Sequence, residues 1–307
     1  MADVDEDIIR SLQADGRAQF SSIAAQIGVH RSVVAQRVHE LLASGEIWVL
    51  AAVHPQVLGL PVQAHLMLRI SGPTSPVFTR LLGMGNVVYL SEITGPFQAV
   101  VEIWAASRDD LARSVHAIQA IDGVIDLQFT LYERVLRTLL LADDPDLSGP
   151  RLDDFDIALM TQLQKDGRLA FDELARRTGR SASACRARVL RLLDARVMRI
   201  GAVRRRQSMS SAVLFGIGVI VHGGLEAQSA VEQSLLRIPG LEFAARTVGR
   251  YAVVAAVPAR SVIEHTELVR EIRAHAGVHM VETWIHAAVW AERYEWTLDR
   301  LERLQDA

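Results

Sequence analysis

Arg31, Ser32, Gln36 and Arg37 lie along one stretch of this chain, and Ser181, Ser183, Arg186 and Arg188 along another. These side chains suit a nucleic acid. A guanidinium can donate paired hydrogen bonds to guanine, a carboxamide matches adenine, and a hydroxyl serves a base edge or a phosphate. On a helical period, Val34, Val38, Leu41 and Leu42 face inward, and Arg31, Ser32, Ala35, Gln36 and His39 face outward. In the second stretch the outward set is Ala182, Ser183, Arg186, Ala187 and Leu190. Arg37 and Arg188 fall on the flank, where a phosphate contact and an ion pair within the domain are both open. The run Arg204-Arg205-Arg206 is the densest positive charge and is expected to add sequence-independent affinity for a phosphate backbone.

A different chemistry is available at two glycine turns, Thr94-Gly95-Pro96-Phe97-Gln98 and Thr247-Val248-Gly249-Arg250-Tyr251. Glycine lets a backbone approach a ligand closely, and neighbouring N–H groups can hold a carboxylate. Thr94, Gly95, Phe97, Gln98, Thr247, Gly249, Arg250 and Tyr251 are therefore candidate effector contacts, with simple hairpin turning as the plainer alternative. No catalytic residue, metal site or cofactor is expected. The ten histidines are scattered, and His275 and His279 straddle Gly277. Cys185 is the only cysteine, which excludes an intrachain disulfide and a Cys-based zinc site. Neither a phosphate-cradling loop nor a nucleophile elbow is present.

The elements that must position these residues occur twice. From Asp5 to about Ala51 the residue classes recur, without a gap, at Asp156 to Ala202. Asp15-Gly16-Arg17 returns as Asp166-Gly167-Arg168, Phe20 as Phe171, Gly28 as Gly179, and Arg37-Val38 as Arg188-Val189. Each copy opens with three apolar stripes at helical spacing; in the first they are Val4/Ile8/Leu12, Phe20/Ile23/Ala24/Ile27 and Val33/Val34/Val38/Leu41/Leu42. Gly28 and Gly179 stop the second stripe in a turn of helix-turn-helix length, and Ser181 is placed to cap the helix that follows. The β-like segments 47–50 and 198–200 are expected to form a small wing or hairpin.

The remainder of the first copy alternates strand-like runs at 62–70, 86–93, 97–105 and 124–132 with helical patterns at 75–83 and 108–121. The second copy repeats this with strands at 212–221, 241–247, 251–257 and 278–289 and helices at 227–238 and 260–275. That order is βαββαβ, the ferredoxin-like arrangement. The predicted fold class is α+β: two tandem copies of a three-helix, winged-helix-like helix-turn-helix domain followed by a ferredoxin-like domain. The predicted boundaries are 1–52 and 60–140 for the first copy, 141–152 for a Pro- and Asp-rich linker, and 153–204 and 211–290 for the second. A charged amphipathic helix is expected at 291–307.

The net charge of −3 hides an asymmetry. Residues 1–50 hold four arginines against seven acids, net −3, whereas residues 151–206 hold thirteen arginines and one lysine against seven acids, net +7. The second copy therefore suits a polyanion, while Glu40 and Glu46 in the first would repel phosphate. No apolar-cored leader and no apolar run of about 18 residues is present, so a soluble, cytoplasmic protein without a membrane partner is expected.

These features resemble the leucine-responsive regulatory protein/asparagine regulator (Lrp/AsnC) family of transcription factors. The resemblance rests on Val4-Asp5 and Leu152-Asp153, the two Asp-Gly-Arg triplets, and a hydroxyl-x-x-x-Val-x-x-Arg-Val pattern from Ser181 to Val189, with Cys185 in the first Val position. In the first copy His30 replaces the hydroxyl residue. It implies double-stranded DNA as partner, self-association as a homodimer or higher, and a small-molecule pocket, commonly for an amino acid, at the glycine turns. The family's acidic residue after the turn aromatic is Gln98 in one copy and Ala252 in the other, so an ammonium loses its usual partner and Arg250 points to an anion instead. Sirohaem decarboxylases look like the same two-part architecture, but the Tyr-x-Arg element associated with them is missing from both turn regions. The expectation is a regulator rather than an enzyme, with its two regulatory domains paired inside one chain as a pseudo-dimer.

Overall fold

The computed structural model describes residues 2–140, 144–146, 148, 152–204, 212–298 and 301. In chain order the first copy forms α1 (Ala2–Ala14), α2 (Phe20–Ile27), α3 (Arg31–Ala43), β1 (Ile47–Val53), β2 (Val62–Ile70), α4 (Thr74–Leu82), β3 (Val87–Ile93), β4 (Ala99–Ala105), α5 (Arg108–Gln119) and β5 (Val124–Arg137). The second forms α6 (Asp154–Lys165), α7 (Phe171–Thr178), α8 (Ala182–Asp194), β6 (Met198–Arg204), β7 (Val213–Val221), α9 (Gly224–Leu236), β8 (Phe243–Gly249), β9 (Val253–Ala259), α10 (Val262–Arg273) and β10 (Val278–Glu292). They gather into two compact units, each drawing on both copies. One comprises Met1–Gly59, Leu139–Met209 and Tyr294–Ala307, and the other Leu60–Thr138 and Ser210–Arg293.

In the helical unit the apolar stripes do what their spacing demands. Ile8, Leu12, Ile23, Val34, Val38 and Leu41 are buried in the first trio, and Leu159, Met160, Leu163, Leu174, Val189 and Leu192 in the second. Cys185 occupies the place of Val34 and is fully buried as a small apolar side chain. Val33 departs from the expected stripe and is 42% exposed, because Val34 takes the inward position and its neighbour stands about 100° away. The wing expectation is also corrected. Strands β1 and β6 pair with each other, antiparallel from Ile47↔Arg204 to Val53↔Met198, rather than folding into separate hairpins. Each lone strand would leave its ladder groups unpaired, and the other copy supplies the matching edge.

The expected helix at 291–307 does not start at 291. Residues 291–292 end β10 and 293–297 have no regular structure, while most positions beyond, like most of the 141–152 linker, lie outside the described residues.

In the other unit each copy contributes a four-stranded sheet, β3-β4-β2-β5 and β8-β9-β7-β10. Pairing of β5 with β8 and of β10 with β3 closes them into an eight-stranded barrel without free edges. Strands β5 and β10 run past the lengths their patterns suggest. Arg134 to Arg137 pair with Arg246 to Ala244 of the other copy, and Ala291 and Glu292 with Leu90 and Tyr89. One face of the first sheet packs Leu66, Leu68, Leu90 and Val101 against Phe78, Leu81, Leu111 and Ile118 of α4 and α5. The alternate residues face the lumen, where Met67, Val100, Tyr251, Val254 and Trp284 meet. Among the described residues no helix is long and apolar enough to cross a membrane.

Candidate functional site

The turn before each third helix opens on a left-handed glycine, Gly28 or Gly179, and ends in a cap, His30 or Ser181. Ser181 Oγ accepts from the Ala184 N–H at 3.2 Å, whereas in the first copy His30 Nδ1 accepts a longer bond from Ser32 N–H at 3.4 Å. On α3 the exposed side chains include Arg31, Ser32, Gln36 and His39; on α8 they include Ser183, Arg186, Ala187 and Leu190. Arg186 and Arg31 make no ion pair or side-chain hydrogen bond among the described residues. Gln36 is held by Glu40, its Nε2 donating to Oε1 at 2.9 Å, and Ser32 Oγ lies 2.8 Å from His30 Nδ1. The first reading face thus has Gln36 held by its own chain beside a bare Arg31, and the second has a bare Arg186 beside Ala187 and Leu190, with Ser183 Oγ 3.0 Å from Ser181 Oγ.

Three candidate phosphate contacts are already paired. Arg37 reaches back to α1, donating to both Asp5 oxygens at 2.8 and 2.6 Å, and also pairs with Glu40. The Asp5 hydrogen bonds hold the Arg37 guanidinium pKa above its ordinary value. Arg188 pairs with Asp153 at 2.7 Å and Asp156 at 3.1 Å, and Arg191 joins Asp156 at 2.6 Å. Of the two roles open to Arg37 and Arg188, the geometry places them as struts between the first and third helices. Arg204 ends β6, where it pairs with Glu6 at 2.8 Å and is largely buried, instead of standing in an open triple-arginine patch. Arg205 and Arg206 lie outside the described residues. Of the second copy's other arginines, Arg176 and Arg177 both pair with Glu173. Net charge draws a polyanion over distance, but only unpaired guanidinia can read it at contact.

A functional pair escaped the sequence reading. Arg17 donates to the Gly167 and Leu169 carbonyls at 2.7 and 3.0 Å and lies over the Phe171 ring, 4.5 Å from its centroid. Arg168 returns the contact, donating to Gly16 O at 2.6 Å and Ala18 O at 3.4 Å and covering Phe20 at 4.9 Å. Between them Gly16 N–H donates to Ile200 O and Gly167 N–H to Val49 O, at 2.9 and 2.8 Å. A Cβ on Gly16 would come 2.9 Å from the Gly201 backbone, and one on Gly167 would come 3.1 Å from that of Leu50. The Asp-Gly-Arg triplet is therefore a reciprocal clamp that seats each helix-turn-helix on the ribbon and on the other copy. Burial, foremost, lowers the pKa of both arginines. The signal available in the sequence was the repeat of Asp-Gly-Arg with a phenylalanine three positions on.

The glycine turns each rest on the last strand of the other copy. Thr94 N–H donates to Ile285 O and Thr94 Oγ1 accepts from Ile285 N–H, and Gly249 pairs with Thr130. Gln98 closes its own turn, accepting from Ile70 N–H at 2.9 Å and donating to Gly95 O at 3.4 Å, and Phe97 lies under Arg69. Thr247 Oγ donates to Tyr251 O at 2.7 Å. Arg250 is paired with Glu282, which also accepts from the Tyr251 hydroxyl at 2.7 Å. The anion suggested for Arg250 would have to compete with that carboxylate, whose pKa Arg250 holds down. Tyr251 is buried inside the barrel, and burial first and Glu282 second push its pKa up to about 12.

The sequence model of the AsnC-type helix-turn-helix domain matches residues 1–42 and 152–193. The HTH-type transcriptional regulator FL11 of Pyrococcus furiosus is 30% identical over 124 residues, covering 40% of this chain and 82% of that protein. The glutamate uptake regulatory protein of Zymomonas mobilis is 38% identical over 71 residues, 23% of this chain and 40% of that protein. The crystal structure of the siroheme decarboxylase NirDL aligns over 99% of this chain and 97% of its own, with a TM-score of 0.66 and 15% identity. At that identity the likeness shows a shared fold across the whole tandem arrangement. It corrects the expectation that the chain is not an enzyme, since an enzyme is built on this same full-length architecture.

Proposed function

We propose, from the premise that this chain belongs to the Lrp/AsnC family of transcription regulators, that it binds double-stranded DNA as a built-in pseudo-dimer. Helix α8 supplies the stronger reading face and α3 the weaker. The single observation that carries this reading is the contrast on the two third helices: Arg186 is bare and flanked by Ser183, Ala187 and Leu190, while the first copy has Ala35 in its place and Gln36 engaged by Glu40. A bidentate arginine at a guanine supplies about 1–3 kcal/mol of discrimination, and alanine or leucine can meet a thymine methyl. The reciprocal clamp and the β1–β6 ribbon hold both helix-turn-helix domains in one unit, which supports a fixed spacing between the two half-sites. A small-molecule effector at the glycine turns, and self-association beyond one chain, extend the same reading. The test is a footprint on the DNA upstream of the protein's own gene, with wild type, Arg186→Ala and Arg31→Ala. Loss of one half-site with Arg186→Ala is expected, and an unaltered footprint defeats the assignment.

A second reading, a tetrapyrrole-processing enzyme, is favoured by the full-length likeness to the siroheme decarboxylase. Spectral binding of added tetrapyrrole by protein that shifts no DNA would replace the first reading with this one.

A further inference from the structure

The lumen-facing rows of the barrel differ between the copies. Across β3, β4, β2 and β5 the register aligns Tyr89, Glu102, His65 and Thr130. The matching row on β8, β9, β7 and β10 reads Phe243, Ala256, Gly216 and Trp284. The second row is apolar and filled, since a Cβ on Gly216 would collide with the Trp284 indole.

The first row is polar, and several of its acceptors are unused. His65 and Thr130 are buried, and His65 Nε2 and Thr130 Oγ1 have no hydrogen-bond partner among the described residues. Leaving such atoms unpaired in a buried setting is unfavourable. Tyr132 donates its hydroxyl proton to Glu102 at 2.8 Å, and His65 Nδ1 lies 3.4 Å from the Tyr132 hydroxyl oxygen. With that proton committed, the Tyr132 oxygen can only accept from Nδ1–H, which in the neutral imidazole leaves Nε2 as a lone pair. Burial, then Glu102, keeps the Tyr132 pKa well above its ordinary value, so the proton stays on the phenol. No arginine or lysine pairs with Glu102 among the described residues; its nearest basic group is His65, at 3.9 Å. The other lumen carboxylate, Glu282, is taken up by Arg250 and Tyr251. Aromatic rings flank the row: the Trp284 ring lies 5.9 Å from the His65 ring and the Tyr132 ring 6.4 Å from it, with Phe243 5.4 Å from Tyr132.

We propose that the first copy's half of the lumen binds a small organic ammonium ion lacking a carboxylate, whose N–H groups are accepted by His65 Nε2, Thr130 Oγ1 and the Glu102 carboxylate. A carboxylate with no arginine or lysine partner, the lone pairs of His65 and Thr130 and the aromatic faces together favour a cation, and outweigh the donor on the same face that is unpaired among the described residues, Gln128 Nε2. A carboxylate on the same ligand would meet Glu102 and Glu282 with Arg250 already engaged. The site goes beyond the DNA-binding reading and can be measured without DNA.

The test is calorimetric titration of the full chain with propylammonium chloride, using sodium propionate and propan-1-ol as controls, and observation of the Trp284 indole N–H by NMR. Propylammonium is expected to bind and to shift the Trp284 resonance. Glu102→Gln, which keeps the shape of the side chain, should weaken binding at least about tenfold, and Thr130→Val severalfold. Propionate and propanol should give no heat. Absence of propylammonium binding to folded wild type overturns the proposal, as does equal binding of either control, a Trp284 signal that does not move, or undiminished binding by Glu102→Gln. Should Glu102→Gln fail to fold by circular dichroism, Thr130→Val decides, and unchanged affinity there overturns it.

Discussion

In the helical unit Arg17 and Arg168 make the same contacts in exchange, whereas in the barrel His65 faces the lumen where its counterpart Gly216 has no side chain at all. Both regions descend from one duplication. The clamp must satisfy the same carbonyls and the same phenylalanine face on either side, so neither copy can change without unseating the other. The lumen carries no such reciprocity, because each row packs against different residues. Fusion lets the second group drift while the first stays symmetric, and the reading faces of the third helices follow the barrel: Arg186 is bare where the first copy has Ala35, and Gln36 is engaged by Glu40.

The largest effect is expected where an apparently matched pair differs most in burial. Asp156 is fully buried beneath Arg188 and Arg191, while Asp5, its counterpart, is partly exposed with Arg37. Asp156→Ala should lower unfolding stability by about 3–5 kcal/mol, with Asp5→Ala closer to 1–2 kcal/mol, in urea denaturation. Equal losses would remove the asymmetry drawn between the two trios. The clamp should behave oppositely. Arg17→Ala and Arg168→Ala are each expected to cost about 2 kcal/mol, the same within error, because each loses two charge-assisted hydrogen bonds and a ring contact. A large difference between them would show that the clamp is not reciprocal.

A middle effect separates the reading faces. Arg186→Ala should weaken specific DNA binding by about 1–3 kcal/mol, while Arg31→Ala changes it by less than about 1 kcal/mol, in titrations at fixed salt. The reverse order would make the acidic copy the principal reader.

The smallest effect concerns protons. Burial lowers the pKa of His54, whose Nδ1 accepts from Gln56 N–H at 3.2 Å, and that of His265, stacked on Phe215. Their folded values lie below the unfolded value of 6.5, so between the two the unfolded chain binds more protons. Stability therefore rises with pH in that window and falls as acid is added. Thermal melts at pH 7 and pH 5.5 should show this loss, and His54→Asn should reduce it in the helical unit; an identical pH slope would remove His54 as its cause.

Much of the fold was legible because it is local. The helical trios follow from apolar residues spaced three and four apart, and the βαββαβ order from β-branched runs between helical ones. What escaped is pairing at long range. Segments 47–53 and 198–204 look like independent wings until each is seen to supply the other's hydrogen bonds. The ends of β5 and β10 lack a clean alternating pattern, and they stay extended because β8 and β3 pair with them. At the candidate site the outward residues of α3 and α8 could be read from periodicity, but the partners of Arg37, Arg188 and Arg204 could not. An ion pair depends on where another helix lies.

The sequence alone determined that this chain holds two copies of one helix-turn-helix and ferredoxin-like module, since repetition and period are properties of order along the chain. Only the tertiary structure decided that the copies close on each other through a shared ribbon, a reciprocal arginine clamp and a common barrel. It also decided which arginines remain bare and which buried acceptors remain unpaired, because strand partnership, burial and charge pairing arise between residues far apart in sequence.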